Sequence, residues 1–135
     1  MAAIYNWNYS TGSPSTITPI WFIKTTSYAN SVVDFFGKNA GATNYAAYTN
    51  YYTFTTGQTH PNTKNWNYCN IYFNKFWLDA KDASFIKGVA AHEFGHAMGL
   101  AHYNTNPYSI MCQDDSGRVV LMAQKCDLDA INIKY

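Results

Sequence analysis

Apolar residues gather in short runs along the first half of the chain, and these runs predict strands. Thr18–Thr25 (TPIWFIKT) is compact and rich in β-forming residues, which is typical of a strand buried on both faces in a parallel sheet. Ser31–Gly37 (SVVDFFG) has the same character, and Gly37 ends it. A helix over Ser27–Ala40 is the alternative, but adjacent valines and phenylalanines favour a pleated surface.

Two more strands are predicted from looser patterns. Ala42–Phe54 alternates apolar and polar residues and carries tyrosines, as a half-exposed strand does. Asn70–Leu78 is predicted as a further strand, after a long polar connection over Thr55–Cys69. At the start of the chain, Ala2–Tyr9 fits either the tail of a helix or a short strand. Thr11–Ser15 has the composition of a turn.

A long helix is predicted from about Ala83 to about Met98, with Asp79 or Asp82 as its N-cap. Apolar residues nearly encircle this helix, which predicts that it is buried. Polar side chains on such a helix need hydrogen-bond partners. A last helix is predicted from about Gln124 to Ile133.

Three of the four histidines fall within positions 92–102. Residues four apart lie on the same face of a helix, so His92 and His96 can reach one metal ion. Gly99 can end the helix because glycine accepts positive φ without strain. The chain then turns back, and His102 can complete a site of three imidazoles.

Three neutral nitrogen ligands with an open fourth position are typical of a catalytic zinc site. Zinc lowers the pKa of its bound water towards ~7 and polarises a substrate carbonyl. Glu93 is one residue along and suits a general base that takes a proton from this water and delivers it to the leaving amine. The alternative is that the histidines are ordinary residues satisfied by hydrogen bonds, which the combined spacing disfavours.

The pattern H-E-x-x-H-x-x-G-x-x-H at positions 92–102 resembles the zinc motif of the metzincin metallopeptidases. Metzincins also carry a methionine turn downstream, and the resemblance assigns Met111 of Ser109–Met111 to it. The stretch HEFGHAMGLAH is similar to the matrixin form of the motif, as in bacterial matrixin-like peptidases. Weaker similarity extends over about residues 18–135.

The resemblance implies an α+β, zincin-like metzincin fold. Its expected parts are a twisted, mostly parallel sheet with an antiparallel edge strand, a buried zinc helix, the methionine turn and a C-terminal helix. It also implies that an edge strand at roughly Tyr45–Tyr52 pairs with the substrate backbone. The residues expected to contact substrate are Tyr45, Ala46, Ala47, Tyr48, Tyr103 and Tyr108.

Several positions depart from the family pattern. The family's first strand has no counterpart before Ala2–Tyr9, so we expect residues 1–135 to be a single, N-terminally truncated catalytic domain. Tyr103 differs from the usual matrixin residue after the third histidine. Gln113 stands where astacin-like members place a metal-touching tyrosine, so no fifth ligand is expected.

Composition limits the classes of binding partner and indicates where the protein is located. A net charge of +1 without a lysine or arginine cluster gives no indication of nucleic-acid or membrane binding. Tyrosine-rich, charge-poor composition and the family resemblance predict a secreted protein, although no signal peptide is recognisable. Cys112 and Cys126 flank one loop, and the sequence leaves open whether they form a disulfide.

The predicted function is that of a zinc-dependent endopeptidase with one catalytic Zn²⁺ and a protein or peptide substrate. The alternative is an inactive or truncated metzincin-like fold that binds zinc or peptide without turnover, because a missing strand leaves the sheet incomplete. A zinc amidase acting on a non-protein substrate is a third hypothesis. We expect a monomer, or a strand-exchange dimer if the first strand is missing. No structural calcium site is evident in the sequence.

Overall fold

The computed structural model describes residues 2–9 and 16–135, which form two compact units. One unit contains Ile23–Lys81, and the other contains Asp82–Tyr135 with the described residues up to Phe22. The predicted turn at Thr11–Ser15 lies outside the described residues. The helices and strands are, in chain order, α1 (Ala2–Tyr9), β1 (Val33–Lys38), β2 (Ala47–Thr53), β3 (Gly57–Thr59), β4 (Tyr68–Asn74), α2 (Lys75–Leu78), α3 (Ala83–Ala97) and α4 (Lys125–Lys134).

The unit Ile23–Lys81 is built on a mixed sheet in the order β1-β4-β2-β3. β1 is parallel to β4, whereas β2 is antiparallel to both β4 and β3. The predicted α+β class agrees with this arrangement, but the expectation of a mostly parallel sheet is wrong for the described strands. A short connection joins β2 to β3, and a connection of this length can only link antiparallel neighbours.

The prediction of a strand at Thr18–Thr25 is wrong, since the structure assigns no strand there. The side chain of Asn8 on α1 accepts from the Phe22 amide (2.9 Å) and donates to the Phe22 carbonyl (2.7 Å). A side chain therefore occupies main-chain groups that a neighbouring strand would have used. The predicted burial is wrong as well, because Trp21 is 54% exposed.

The strand predicted at Ser31–Gly37 is confirmed as β1, but it is not buried on both faces, since Phe35 and Phe36 are partly exposed. The strand predicted at Asn70–Leu78 ends early, at Asn74. The Asn74 side chain accepts from the Phe76 amide and caps the short helix α2. This cap changes the backbone from strand to helix in the middle of the predicted run.

The two faces of the sheet differ in character. Cys69, Ile71 and Tyr51 point to one face and are buried. On the opposite face the rings of Tyr48 and Phe36 each stack on Tyr72, with ring centroids 5.1 Å apart in both pairs. The alternating pattern thus separates a buried face from a face of stacked aromatic rings.

The other unit is helical, and α1 packs on α3. The start of the chain is a helix rather than a strand, and its Trp7 is 2% exposed. The indole Nε1 of Trp7 donates to the carbonyl of Ala91 on α3 at 3.0 Å. The ring of Phe22 meets that of Phe94 edge-on, with centroids 5.0 Å apart. These contacts place large aromatic side chains against the helix that carries two of the histidines.

The long helix is confirmed as α3, and the last helix is confirmed as α4. Asp82 is the N-cap of α3, because its carboxylate accepts from the amides of Ser84 and Phe85. The second half of α3 is buried, as the encircling apolar pattern predicts. Within the described residues, no helix is long and apolar enough to cross a bilayer.

Candidate metal centre

Helix α3 and the turn after it bring three imidazole rings together. His92 and His96 lie one turn apart on α3, and His102 follows the helix. The His96 Nε2 atom is 3.1 Å from His92 Nε2 and 3.0 Å from His102 Nε2. Of the residues that the structure describes, only these three form a group able to hold one metal ion. They are the three ligands that the sequence predicts.

Two hydrogen bonds fix which nitrogen of each helical histidine faces the centre. His92 Nδ1 is 2.7 Å from the carbonyl oxygen of Ile110, and His96 Nδ1 is 2.8 Å from that of Leu100. A carbonyl oxygen only accepts, so each Nδ1 carries the proton and donates. Each Nε2 therefore presents a lone pair to the centre, as a ligand held by an outer hydrogen bond does.

The end of α3 supplies one of these carbonyl groups. The Leu100 amide donates to the Gly95 carbonyl at 2.9 Å, and the Gly99 amide donates to the His96 carbonyl at 2.7 Å. Gly99 has φ 83°, so the helix ends in a Schellman motif with glycine in the left-handed region. The motif turns the chain so that the Leu100 carbonyl accepts from His96 Nδ1.

The donor set fits a zinc ion. Lone pairs of neutral imidazoles that face each other at about 3 Å repel one another unless a cation lies between them. Tetrahedral zinc with Zn–N bonds of 2.0–2.1 Å places its ligand nitrogens about 3.3 Å apart. The separations of 3.1 and 3.0 Å are close to this spacing.

Burial keeps the helical ligands in the neutral form that binds metal. Burial, together with the neighbouring His96, lowers the pKa of His92 to about 3. Burial also lowers the pKa of His96 to about 4. The pKa of His102 is lowered by burial too, with Asp115 opposing the shift. At neutral pH, protons therefore do not compete with a metal ion for His92 and His96.

Asp127 on α4 supports the carbonyl that orients His92, and sequence reasoning missed it. One carboxylate oxygen accepts from the Ser109 hydroxyl, and the other accepts from the Ile110 amide at 3.0 Å. Asp127 also accepts from the Gln124 amide at 2.8 Å, as the third residue of a capping box. The sequence signal for Asp127 was its position three residues after Gln124 at the start of a predicted helix, which is the spacing of a capping box.

The structure places Met111, the predicted methionine-turn residue, against α3. Met111 is 2% exposed, and a Cβ atom added to Gly95 would lie 2.2 Å from its sulfur. The Met111 amide donates to the Ser109 hydroxyl oxygen at 3.0 Å, and the Met111 carbonyl accepts from the Tyr103 amide at 2.9 Å. Gly95 thus allows the sulfur to approach the helix between the two helical histidines.

Glu93 is 5% exposed on α3 and lies next to His92 in the chain. Glu93 is not part of the group of three converging nitrogens, and its role as general base stays a prediction. Burial lowers the pKa of Arg118, and Asp114, followed by Cys112 and Glu93, opposes that shift. Sequence reasoning missed Arg118, whose only signal was that it is the single arginine in the sequence.

The predicted substrate-binding residues divide between the two units. Tyr103 and Tyr108 belong to the unit with the histidines and are 50% and 67% exposed. The other four belong to the sheet unit, at the start of β2 and just before it: Tyr45, Ala46, Ala47 and Tyr48. β3 pairs with β2 at residues 51–53, so β2 is not an edge strand over its full predicted length. Substrate binding by these residues stays a prediction.

Residues 15–134 match the family model described as matrixin, the peptidase family M10. No curated protein and no solved structure matches the chain. The family match covers both the sheet and the segment that carries the three histidines.

The three cysteines of the chain are free thiols, so Cys112 and Cys126 are not bridged.

We predict that the metal-free protein loses stability as the pH falls from about 6.5 towards 4. His92 and His96 bind protons near pH 6.5 when unfolded but only near 3 and 4 when folded, so the unfolded state takes up more protons. The free energy of unfolding should fall by up to about 1.4 kcal/mol per pH unit for each histidine. Denaturant titrations between pH 7.5 and 4.5 measure this slope.

His92→Gln is the matched control, because carboxylates titrate in both proteins and only the imidazole is removed. Its stability should depend less steeply on pH than that of the parent chain. Equal slopes in the two proteins would contradict a neutral, buried His92.

A second prediction concerns the contact between Gly95 and Met111. Gly95→Ala should lower the free energy of unfolding by about 1–3 kcal/mol, because the added methyl group overlaps the Met111 sulfur. Met111→Ala removes the sulfur, so Gly95→Ala should cost clearly less in that background. Chemical denaturation of the four proteins measures the coupling, and an equal cost in both backgrounds would exclude the contact as its cause.

Proposed function

The chain belongs to the matrixin family of metallopeptidases, and from this premise we propose that it is a zinc-dependent endopeptidase. The observation that carries the proposal is the convergence of three Nε2 atoms, two of them on the helix that also carries the buried Glu93. We assign His92, His96 and His102 as zinc ligands and Glu93 as general base and acid. The proposed substrate is a protein or peptide.

Zinc in this site supplies a Lewis acid that polarises the scissile carbonyl and makes the attacking water more acidic. Glu93 accepts a proton from that water as its oxygen bonds to the carbonyl carbon. Glu93 then gives the proton to the nitrogen of the leaving amine as the C–N bond breaks. Water is thereby added across the peptide bond, and Glu93 returns to its ionised form.

The surroundings of Glu93 support this role. The carboxylate is 5% exposed, so bulk water screens its charge only weakly. The His92 and His96 side chains use their Nδ1 protons in bonds to carbonyl groups and have none to donate to the reaction. Glu93 is therefore the remaining ionisable side chain in the buried half of α3 that is available for proton transfer.

Two finer parts of the proposal rest on the family rather than on the described geometry. We propose that substrate lies extended beside residues 45–48 of the sheet unit, as a strand added to a sheet does. We also propose that the protein acts outside the cell. Cleavage mapping on a set of extended peptides tests the first, and fractionation of the producing cells tests the second.

We predict that Glu93→Gln keeps its zinc and loses cleavage of an unfolded protein. Gln has nearly the same shape but cannot accept the proton, so kcat should fall by about 10²–10⁴-fold. Elemental analysis gives zinc per chain, and the rate of cleavage with and without a chelator gives activity.

His102→Ala is the matched control, since it should lose zinc and activity together. Undiminished cleavage by Glu93→Gln would contradict the assignment of the base. A wild-type chain that holds one zinc and cleaves nothing would support the zinc- or peptide-binding alternative instead.

A further inference from the structure

The side chain of Asn74, the last residue of β4, is buried and holds the loop that precedes β2. Its Nδ2 atom donates to the Gly41 carbonyl at 3.0 Å and to the Thr43 hydroxyl oxygen at 2.9 Å. The Tyr45 carbonyl is a third and longer acceptor, at 3.4 Å. One side chain thus binds three alternate residues of the segment that leads into β2.

The other end of the Asn74 amide fixes its orientation. The Oδ1 atom accepts from the amide of Ala40 at 3.0 Å and from the amide of Phe76 at 3.2 Å. A main-chain amide only donates, so Oδ1 must face these two groups and Nδ2 must face the loop oxygens. Because Asn74 is 2% exposed, water has little access to replace any of these bonds.

Two further hydrogen bonds connect the same loop to β4 and α2. The main-chain amide of Asn74 donates to the Ala46 carbonyl at 2.8 Å, and the indole Nε1 of Trp77 donates to the Thr43 carbonyl at 2.6 Å. Gly41 has φ 72°, which allows the chain to turn within the loop. Residues 40–46 are therefore held to the end of β4 by bonds within the unit Ile23–Lys81.

We propose that Asn74 is a positioning residue for the segment 45–48, where substrate is proposed to bind. The proposal rests on the peptidase function proposed above, in which substrate pairs with this segment as an added strand. Such pairing relies on main-chain hydrogen bonds, so the N–H and C=O groups of the segment must be held in a fixed direction. The competing explanation is that Asn74 only caps α2 through its Oδ1 atom.

Asn74→Asp separates these two roles. Aspartate keeps the acceptor oxygen and is a good N-cap, but it has no hydrogen to donate to the loop. If the donor positions the segment, KM should rise about 10-fold with kcat unchanged, because binding is lost without a change in the chemical step. Zinc per chain should also stay unchanged.

Asn67→Asp is the matched control, because it adds the same charge at an exposed position of the same unit. The Asn67 Oδ1 atom accepts from the Phe54 amide at 3.0 Å, beyond the other end of β2, and aspartate keeps this bond. The KM of this variant should equal that of the parent chain. Equal KM values for the two variants would overturn the proposal, and a fall in kcat alone or loss of zinc would assign Asn74 to the scaffold.

Hydrogen exchange of the full chain, measured by mass spectrometry over residues 40–48, gives a readout that needs no activity. Asn74→Asp should raise the exchange rate of this segment at least about 5-fold, and Asn67→Asp should leave it unchanged. Thr43→Val removes one acceptor of Nδ2 and should raise the rate by a smaller factor, so it decides the matter if Asn74→Asp does not fold.

Unchanged exchange in the folded variants would overturn the positioning role. If the parent chain cleaves no substrate, the proposed function fails on that result. The exchange rates still decide whether the Asn74 donor holds the segment in place.

Discussion

The hydrogen bonds from the histidine Nδ1 atoms to main-chain carbonyls are the interactions on which the metal centre depends. They hold His92 and His96 in the tautomer that points a lone pair inward, at 2.7 and 2.8 Å from the carbonyls of Ile110 and Leu100. Each carbonyl is fixed by other parts of the fold. Asp127 on α4 holds the Ser109–Ile110 turn, and the Schellman motif at Gly99 holds Leu100. The geometry of the ligands is thus set by groups outside the ligand set.

Close packing around α3 explains why so many small or polar residues lie in its buried half. Gly95 leaves room for the sulfur of Met111, and Ala91 offers its carbonyl to the indole of Trp7. Glu93 and the side chain of Arg118 are also buried within this unit. Burial of α3 lowers the pKa values of its histidines and so keeps the imidazoles neutral. Packing and metal binding therefore depend on the same buried environment.

The sequence predicts the parts of this protein that are governed by local spacing. The helix at Ala83–Ala97, its Asp82 cap, the glycine that ends it and the three converging histidines all follow from short-range patterns. The prediction of a strand at Thr18–Thr25 is wrong because apolar β-forming residues do not show whether a neighbouring strand exists. The side chain of Asn8 hydrogen-bonds to the main chain of Phe22 instead. Asp127 was missed because its role depends on contacts with Ser109 and Ile110, which lie 18 and 17 positions away in the chain.

We propose that three imidazole nitrogens hold one zinc ion, and X-ray absorption spectroscopy at the zinc edge tests this most directly. The full chain loaded with one equivalent of zinc should show three histidine nitrogens and one further light atom at about 2.0–2.1 Å. Sulfur at about 2.3 Å would instead assign the metal to the free cysteines, and fewer than three imidazoles would remove a predicted ligand. Either result would contradict the account.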